Sequence, residues 1–493
     1  MTQRLPLIVV LGATACGKSK LAIELARRFG GEIISADSMQ VYLGLDIVTN
    51  KVTQEERQQA KHHLIDFLDP LKRYSVVDFR NKSLNIINDL MKTNKLPIVV
   101  GGTNYYIESI LWKNFIMEPA LESAKRSFND ATQQNPLHNP SDEESDSETL
   151  IDAELHHLNA TKDILLHNDE DLEDVERFFS KKIYSFGLRN ISSDKLWQIL
   201  EKVDPRTAHI LHPNDRRKVV RSLQVIQDRR RNYSDILDEV NRSSGDNISL
   251  GGSLRYQPTC VMWLDCPDMD ELDEILDARV DQMIERNLLG ELEQFHKNYN
   301  KQRVLSNQDS DYQKGIFQAI GFKEFHNYLI LDESTKVTEE GKALLQQSIE
   351  NMKLSTRKYA RRQLKWIRRR FMQSGIRDLP LLFRFQSTFD TECWNKSVFE
   401  PACAIVESIK DGKELTEDLV KYKQEPEEQA ATNKPAKYFC EDCDRVLIGS
   451  MNIEAHLKSR RHYKTRSKKL RYDKKREDET SVVYNKLSHP ESS

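Results

Sequence analysis

Eight consecutive residues, Gly12-Ala13-Thr14-Ala15-Cys16-Gly17-Lys18-Ser19, read G-x-x-x-x-G-K-S, the spacing of a phosphate-binding P-loop. Backbone N–H groups of such a loop, and of the helix it opens, point at an anion. Lys18 adds a point charge, and the Ser19 hydroxyl can face a Mg2+ ion. The loop predicts a polyphosphate without saying which one. A second set, Asp37-Ser38-Met39-Gln40-Val41-Tyr42, brings a carboxylate. Just beyond the second strand of a P-loop fold, that carboxylate belongs near the phosphate cradle. A helix-capping Asp would read the same way. A third set is Gly101-Gly102-Thr103-Asn104-Tyr105-Tyr106, where two glycines at a strand end let backbone approach a ligand closely. His62-His63 ahead of Asp66 invites a metal, but neighbours on an extended segment point opposite ways, which favours a structural role.

These residues need elements that aim them at one place. Residues 5–11 are an apolar run, suited to a buried parallel strand, and 19–29 carry helical apolar spacing. Residues 32–35 predict a second strand, 75–94 an amphipathic helix, and 96–100 a third strand. Three strands thus deliver the P-loop, Asp37–Tyr42 and Gly101–Tyr106 to one edge, the outline of a substrate channel. Residues 258–265 predict a further strand and 270–299 a helix. Between 114 and 203 the character changes to a helical insertion, with helices expected at 172–189 and 195–203. Within it, Ser141-Asp-Glu-Glu-Ser-Asp-Ser-Glu is acidic and poor in apolar residues, the composition of a disordered loop.

Cations gather at two places. His212-Pro-Asn-Asp-Arg216-Arg217-Lys218-Val-Val-Arg221 opens a helix capped by Asn214 or Asp215. Cations in a first turn oppose the helix dipole, so their placement suggests service to an anion. On a helix, Lys358, Arg361, Arg362, Lys365, Arg368 and Arg369 form a broad cationic face. Ala360, Leu364, Ile367 and Phe371 lie opposite. The segment itself lacks acids, which favours an anionic partner such as RNA backbone. After a polar linker, Cys440-x2-Cys443-x12-His456-x5-His462 has the spacing of a Cys2His2 zinc finger, with Phe439, Leu447 and Leu457 as a candidate small core. Residues 458–476 are densely basic, as in a nucleic-acid or nuclear-targeting tail.

The 493 residues suggest about two to four domains. A net charge of −3 means that any nucleic-acid surface is a local patch. Seven cysteines in a long chain, with Cys440 and Cys443 closely paired, argue for a reducing compartment rather than a disulfide framework. No apolar run reaches eighteen residues, so no membrane span is expected. A first strand this close to Met1 leaves no room for a cleavable signal.

Together these motifs resemble the tRNA dimethylallyltransferase (tRNA isopentenyltransferase) family. The matching sets are residues 12–19, 37–42, 101–106, 212–221, 315–323 and 356–370, in the family's order, across about residues 5–371. The finger is similar to the family's eukaryotic form. The resemblance implies an α/β fold: a P-loop-type parallel sheet core flanked by helices, a helical insertion domain and a small C-terminal Cys2His2 zinc finger. It implies transfer of a dimethylallyl group from dimethylallyl diphosphate to N6 of the adenosine 3′ of the anticodon. Asp37 becomes the general base, Thr103 sets the channel wall, and Lys18 and Arg217 serve the leaving diphosphate. The base is expected to flip out of its stack. The implied tRNA contacts are Asp37, Ser38, Met39, Gln40, Arg217, Lys218, Arg221, Gln318, Lys323, Arg361, Arg362, Lys365 and Arg368. The implied zinc ligands are Cys440, Cys443, His456 and His462, and Mg2+ is expected at the diphosphate.

The expected domains are 1–113 (core, first part), 114–203 (insertion gripping the anticodon stem-loop, acidic loop near 130–150), 204–414 (core, second part), 415–437 (linker) and 438–493 (finger and basic tail). A monomer in the cytoplasm is the default, with mitochondrial and nuclear pools open. Two departures stand out: Ala13 where many members carry Pro, and Cys16 where Ser, Thr or Val is usual. Cys16 makes the loop a candidate for oxidation or alkylation. The alternatives are a P-loop nucleotide kinase and a zinc-finger regulator with a nucleotide switch. The first leaves the finger and the cationic helix unexplained, and the second leaves Asp37-Ser-Met-Gln and Gly-Gly-Thr-Asn-Tyr unexplained.

Overall fold

The computed structural model describes residues 5–114, 175–243, 251–300, 315–427 and 436–472, apart from 71, 73, 182, 184–187, 189, 267, 375, 376 and 389. The acidic stretch near 130–150, the start of the helix expected at 172–189, and the end of the basic tail lie outside these residues. The chain forms two compact units, residues 1–117 with 244–429 and residues 118–243 with 430–493.

In chain order the strands are β1 Leu7–Gly12, β2 Glu32–Ser35, β3 His62–His63, β4 Pro97–Val100, β5 Trp112–Asn114, β6 Gly251–Leu254, β7 Thr259–Asp265, β8 Leu381–Gln386, β9 Lys437–Cys440 and β10 Arg445–Ile448. In the first unit six of them form one sheet, ordered β3-β2-β4-β1-β7-β8, and every pairing is parallel. β1, β4 and β7 are apolar along nearly their whole length and buried throughout. Such runs suit only a sheet covered on both faces. β1 lies between β4 and β7, with Val9 facing Val99 on one side and Val261 on the other. The chain ends of β1, β2 and β4 therefore share one edge, the place where open parallel sheets bind ligands.

Helices Lys18–Phe29, Val76–Lys92, Asn104–Leu111, Met269–Glu285 and Glu339–Phe371 belong to this unit. Ser75 and Asp78 close a capping box at the start of Val76–Lys92, which sets its entry point. The single helix expected over 270–299 is broken instead. Asn287 adopts φ 72°, and a second helix, Leu288–Phe295, starts after it. This bend lets Leu288, Leu292 and Phe295 join a separate cluster with Phe317, Phe322 and Met352. His63 bonds Glu32 at 2.6 Å and His62 contacts the Ala60 carbonyl at 2.8 Å, so both histidines have partners within the fold.

The second unit packs helices Val175–Ser180, Ser193–Val203, Pro205–Ile210, Arg216–Arg229 and Tyr233–Ser243. Its core includes Phe178, Leu196, Trp197, Leu200, Val219 and Leu223. The division falls after Ser243, whereas 204–243 was expected with the sheet. The apolar face of Arg216–Arg229 shares one core with helix Ser193–Val203, as the apolar spacing of both requires. Asp204 fixes the junctions by accepting from Thr207 N, Thr207 Oγ1 and Ser234 N.

Candidate active site and zinc centre

The P-loop follows β1 and ends in the helix Lys18–Phe29. Gly17 sits at φ 80°, and a Cβ there would lie 2.7 Å from the Trp394 indole. Only glycine allows both the left-handed turn and the ring beneath it. The helix has no side-chain cap and no acid in its first turn, so its N-terminal amides and dipole face an anion unopposed. Lys18 folds its ammonium across the loop onto the Ala13 carbonyl at 2.6 Å. Burial holds its pKa down to about 8. The small residues Ala13 and Cys16 are both buried. Cys16 corrects the expectation of a reactive thiol. Desolvation pushes its pKa up against the pull of Lys18, so the thiolate needed for oxidation or alkylation is disfavoured.

Asp37 stands just past β2. Its Oδ1 accepts from Met39 N at 2.9 Å, and burial raises its carboxyl above the usual range. The amides of Met39 and Gln40, then Lys18 and Arg279, oppose that rise. Thr103 Oγ1 accepts from Ser38 N at 3.0 Å and lies 3.2 Å from Ser38 Oγ, so Thr103 and the Asp37 turn form one rim. A Cβ on Gly102 would lie 2.6 Å from Gln363 Nε2 and 3.4 Å from Asp37 Oδ2. Gly102 thus makes room for the Gln363 amide beside the carboxylate. Gln40 is held inward, bonded to Ser35 and to the carbonyls of Thr49 and Asn50.

Three residues that the sequence did not single out complete this site. Gln363, buried on the helix Glu339–Phe371, accepts from Thr14 N at 2.9 Å and donates to the Gly102 carbonyl at 3.0 Å. It ties the P-loop to the Gly102 loop. Tyr359 donates to the same carbonyl at 3.1 Å. Arg279, on helix Met269–Glu285, has its pKa held down to about 10 by burial and raised in part by Asp37. The one sequence signal was Gln363 itself, a polar residue on the face of Ala360, Leu364 and Ile367.

Two cavities meet here. One, about 280 Å³, is walled by Lys18, Ser19, Asp37 and Arg279. The other, about 490 Å³, adds Ser38, Met39, Thr103 and the apolar side chains Val48, Met283, Met352 and Trp366. Both include Thr14, Asp37, Gly102, Arg279, Tyr359 and Gln363. Asp37 therefore stands where a cationic phosphate-type pocket opens into a partly apolar one.

Helix Glu339–Phe371 buries Ala360, Leu364, Ile367 and Phe371, as its spacing predicts. Of the expected cationic face, only Arg361 pairs with an acid among the described residues, in a ladder with two other cations of the same helix. Lys353, Arg357 and Arg361 pair with Asp281, Asp277 and Asp273 of the facing helix, four residues apart on each side. Arg361 is bidentate to Asp273, at 2.8 and 2.7 Å. Lys358, Arg362, Lys365, Arg368 and Arg369 are exposed. Gln318 and Lys323 line a third cavity, about 550 Å³, together with Lys358, Arg361 and Arg362.

In the second unit, Asp215 caps the helix Arg216–Arg229. Arg217 and Lys218 are exposed in its first turn, and Lys218 pairs with Asp215 at 2.7 Å. Arg216 turns inward to the carbonyls of Leu188 and Ile191. The terminal guanidinium nitrogens of Arg221 are buried without a hydrogen-bond partner among the described residues. Arg217, expected beside the leaving group, belongs to this unit. Within the first unit, Arg279 lies beside Asp37 and Lys18.

The finger pairs β9 with β10 in antiparallel register and adds the helix Ser450–Leu457. The ligand atoms of Cys440, Cys443, His456 and His462 all lie within 4.8 Å of one another. His462 Nδ1 is 3.6 Å from Cys440 Sγ and 3.4 Å from Cys443 Sγ. Tetrahedral zinc, with bonds of about 2.3 Å to sulfur and 2.0–2.1 Å to nitrogen, separates S and N ligands by about 3.5 Å. The Nε2 of His456 is buried with no hydrogen-bond partner among the described residues, which a metal bond would satisfy. The site fits zinc. The expected small core does not form: Phe439 is 56% exposed and Leu457 44% exposed. The finger leans instead on its own unit, with Lys437 Nζ 3.8 Å over the Trp197 ring and His212 Nε2 3.0 Å from the Val446 carbonyl.

The family described as IPP transferase matches residues 40–177 and 158–370, and that described as isopentenyl transferase matches residues 5–70. The chain is 40% identical to the tRNA dimethylallyltransferase of Homo sapiens, over 96% of this chain and 88% of that protein. It is 31% identical to the tRNA dimethylallyltransferase of Schizosaccharomyces pombe, over 95% and 97%. A crystal structure of a eukaryotic dimethylallyltransferase acting on tRNA superimposes with a TM-score of 0.68 at 26% identity, covering 96% of this chain and all of that one. Among the described residues, no helix is long and apolar enough to cross a membrane.

Proposed function

The chain belongs to the IPP transferase family, that of the tRNA dimethylallyltransferases, and on that premise we propose that it moves a dimethylallyl group from its diphosphate to N6 of the adenosine 3′ of the anticodon. The observation that carries the site assignment is the position of Asp37 at the junction of the two cavities. The diphosphate lies on the P-loop amides and the Lys18 ammonium, in the smaller cavity. The adenine enters through the larger one, among Met39, Thr103 and Met352. It must leave its stack to do so.

The exocyclic amine is a weak nucleophile and must lose a proton. Asp37, its carboxyl raised by burial, accepts that proton as N6 bonds to the prenyl C1. The C1–O bond breaks and its electron pair leaves with the diphosphate. Lys18 and Arg279 face the charge that grows on the leaving oxygens. Thr103 holds the Ser38 side of the rim so that the base meets the carboxylate in one orientation. Ser19, at the wall of this pocket, is the residue suited to a Mg2+ ion, which usually takes few protein ligands beside substrate phosphates. The Ser19 hydroxyl would hold it together with diphosphate oxygens, and it would add charge neutralisation at the phosphates. Zn2+, held by Cys440, Cys443, His456 and His462, supplies the fold of the finger rather than chemistry. We assign the grip on the anticodon stem-loop to Arg217 and Lys218 in the second unit. Lys358, Arg362, Lys365 and Arg368 do the same in the first.

The test is incubation with unmodified tRNA and either labelled dimethylallyl diphosphate or γ-labelled ATP. Prenyl label on adenosine N6 is the expected result. Phosphate label on RNA, or on a nucleotide, would transfer the case to the kinase alternative.

A further inference from the structure

Two large aromatic side chains stay exposed at the wall of the Asp37 cavity. Trp366 is 38% exposed and Tyr105 40% exposed. Their ring centroids are 6.4 Å apart at 80°, an edge-to-face pair. Adjoining exposed aromatic rings at a cavity wall, rather than one exposed apolar residue alone, are the kind of surface that binding sites present. The pair is also held firmly. Trp366 Nε1 donates to the carboxylate of Glu108, which is fully buried. The same carboxylate pairs with Arg377 at 2.8 Å and with Arg370 at 3.3 Å. Arg377 in turn lies 3.6 Å over the Trp112 ring. A buried acid with two arginines thus orients one exposed indole. The neighbours on the helix, Arg362, Lys365 and Arg369, are exposed cations.

We propose that Tyr105 and Trp366 form a stacking platform for one base of the anticodon loop, the neighbour of the adenosine that enters the channel. The inference rests on the tRNA-prenyl-transfer function proposed above. A flipped base leaves its neighbour without a stacking partner on one face. An indole beside a cationic phosphate track replaces that partner whatever the base, because every base has a π face. The edge-to-face geometry lets the base lie on one ring and abut the other. Glu108 acts through Trp366 as a positioning residue.

The experiment uses the full chain and an unmodified anticodon stem-loop RNA, with Trp366→Ala, Trp366→Phe, Tyr105→Ala and Glu108→Gln. Base–aromatic stacking predicts a KM for RNA raised roughly 5- to 150-fold in Trp366→Ala, with most of the loss recovered in Trp366→Phe. Affinity for dimethylallyl diphosphate should stay at the wild-type value, which also reports that the variant is folded. Two further RNAs carry an abasic ribose on either side of the target adenosine. One of them should lose affinity for the wild type by the same factor, and Trp366→Ala should add nothing to that loss. If each abasic RNA and Trp366→Ala act independently, or the KM does not move, the platform is wrong. A wild-type enzyme that prenylates no RNA overturns the underlying function instead, so the two failures are distinct.

Discussion

The two compact units hold their functional residues by different means. Around Asp37, groups remote in sequence are bonded directly to one another: Thr14 to Gln363, Ser38 to Thr103, and Tyr359 to Gly102. Parallel strands bring these loops to one edge, and buried side chains fix them within ångströms. In the second unit the exposed cations Arg217 and Lys218 ride on one helix turn, and the finger is organised by four ligands around a metal-sized space. The first arrangement suits chemistry, which a small misplacement destroys. The second suits a grip, in which single contacts contribute modestly and additively. On this contrast, substitutions in the first unit should lower kcat and those in the second raise KM for tRNA.

The largest break should come from Asp37→Asn. Loss of a general base costs about 10²–10⁴ in rate, with RNA affinity preserved. The same substitution should raise Tm. A carboxyl whose folded pKa is raised costs stability once it is ionised, so removing the charge helps above that pKa and is neutral well below it. Thermal melting across pH checks the sign.

Next come Lys18→Ala and Arg279→Ala, each expected to cost about 10²–10³ in rate through the leaving group. Arg217→Ala in the same assay sharpens the comparison, since its exposed place in the second unit predicts a KM effect. Lys18 adds a pH signature. Its pKa is lowered to about 8, so the free enzyme loses that ammonium as pH rises past about 8. KM for dimethylallyl diphosphate should climb there in the wild type and stay flat in Lys18→Ala.

A smaller effect is expected from removing residues 430–493. If the basic stretch after Lys458 neutralises about three phosphates, the log–log salt slope of tRNA affinity should flatten by roughly two to three units. Zinc chelation should reproduce part of this. It should also lower the melting temperature of the helical unit, because β9 and β10 contact Trp197 and His212. Least of all, alkylation of Cys16 should be negligible under conditions that label the exposed Cys393.

The P-loop, Asp37 and Gly101–Thr103 were legible because each signal is local: an apolar run, a turn, a periodic helix. Arg279, Tyr359 and Gln363 were not: nothing near Arg279 announces a ligand, Tyr359 and Gln363 sit among cations that point to RNA backbone rather than to the P-loop, and only the packing of two helices against the strand ends brings all three to Asp37. The pairing of Arg361 was hidden for a related reason. A count within one segment cannot see Asp273, Asp277 and Asp281, which lie on another helix. The finger's ligands were readable from spacing. Its core was not, since Phe439 and Leu457 stay exposed while Lys437 reaches Trp197 and the Val446 carbonyl reaches His212.

The division between the units is tested most directly by single-turnover prenyl transfer at saturating RNA and dimethylallyl diphosphate, comparing the wild type, Asp37→Asn and Cys443→Ser. The expected result is a rate for Cys443→Ser close to the wild type and a rate for Asp37→Asn lower by about 10²–10⁴. A Cys443→Ser chain as slow as Asp37→Asn, with its first unit folded and RNA saturating, would contradict the account.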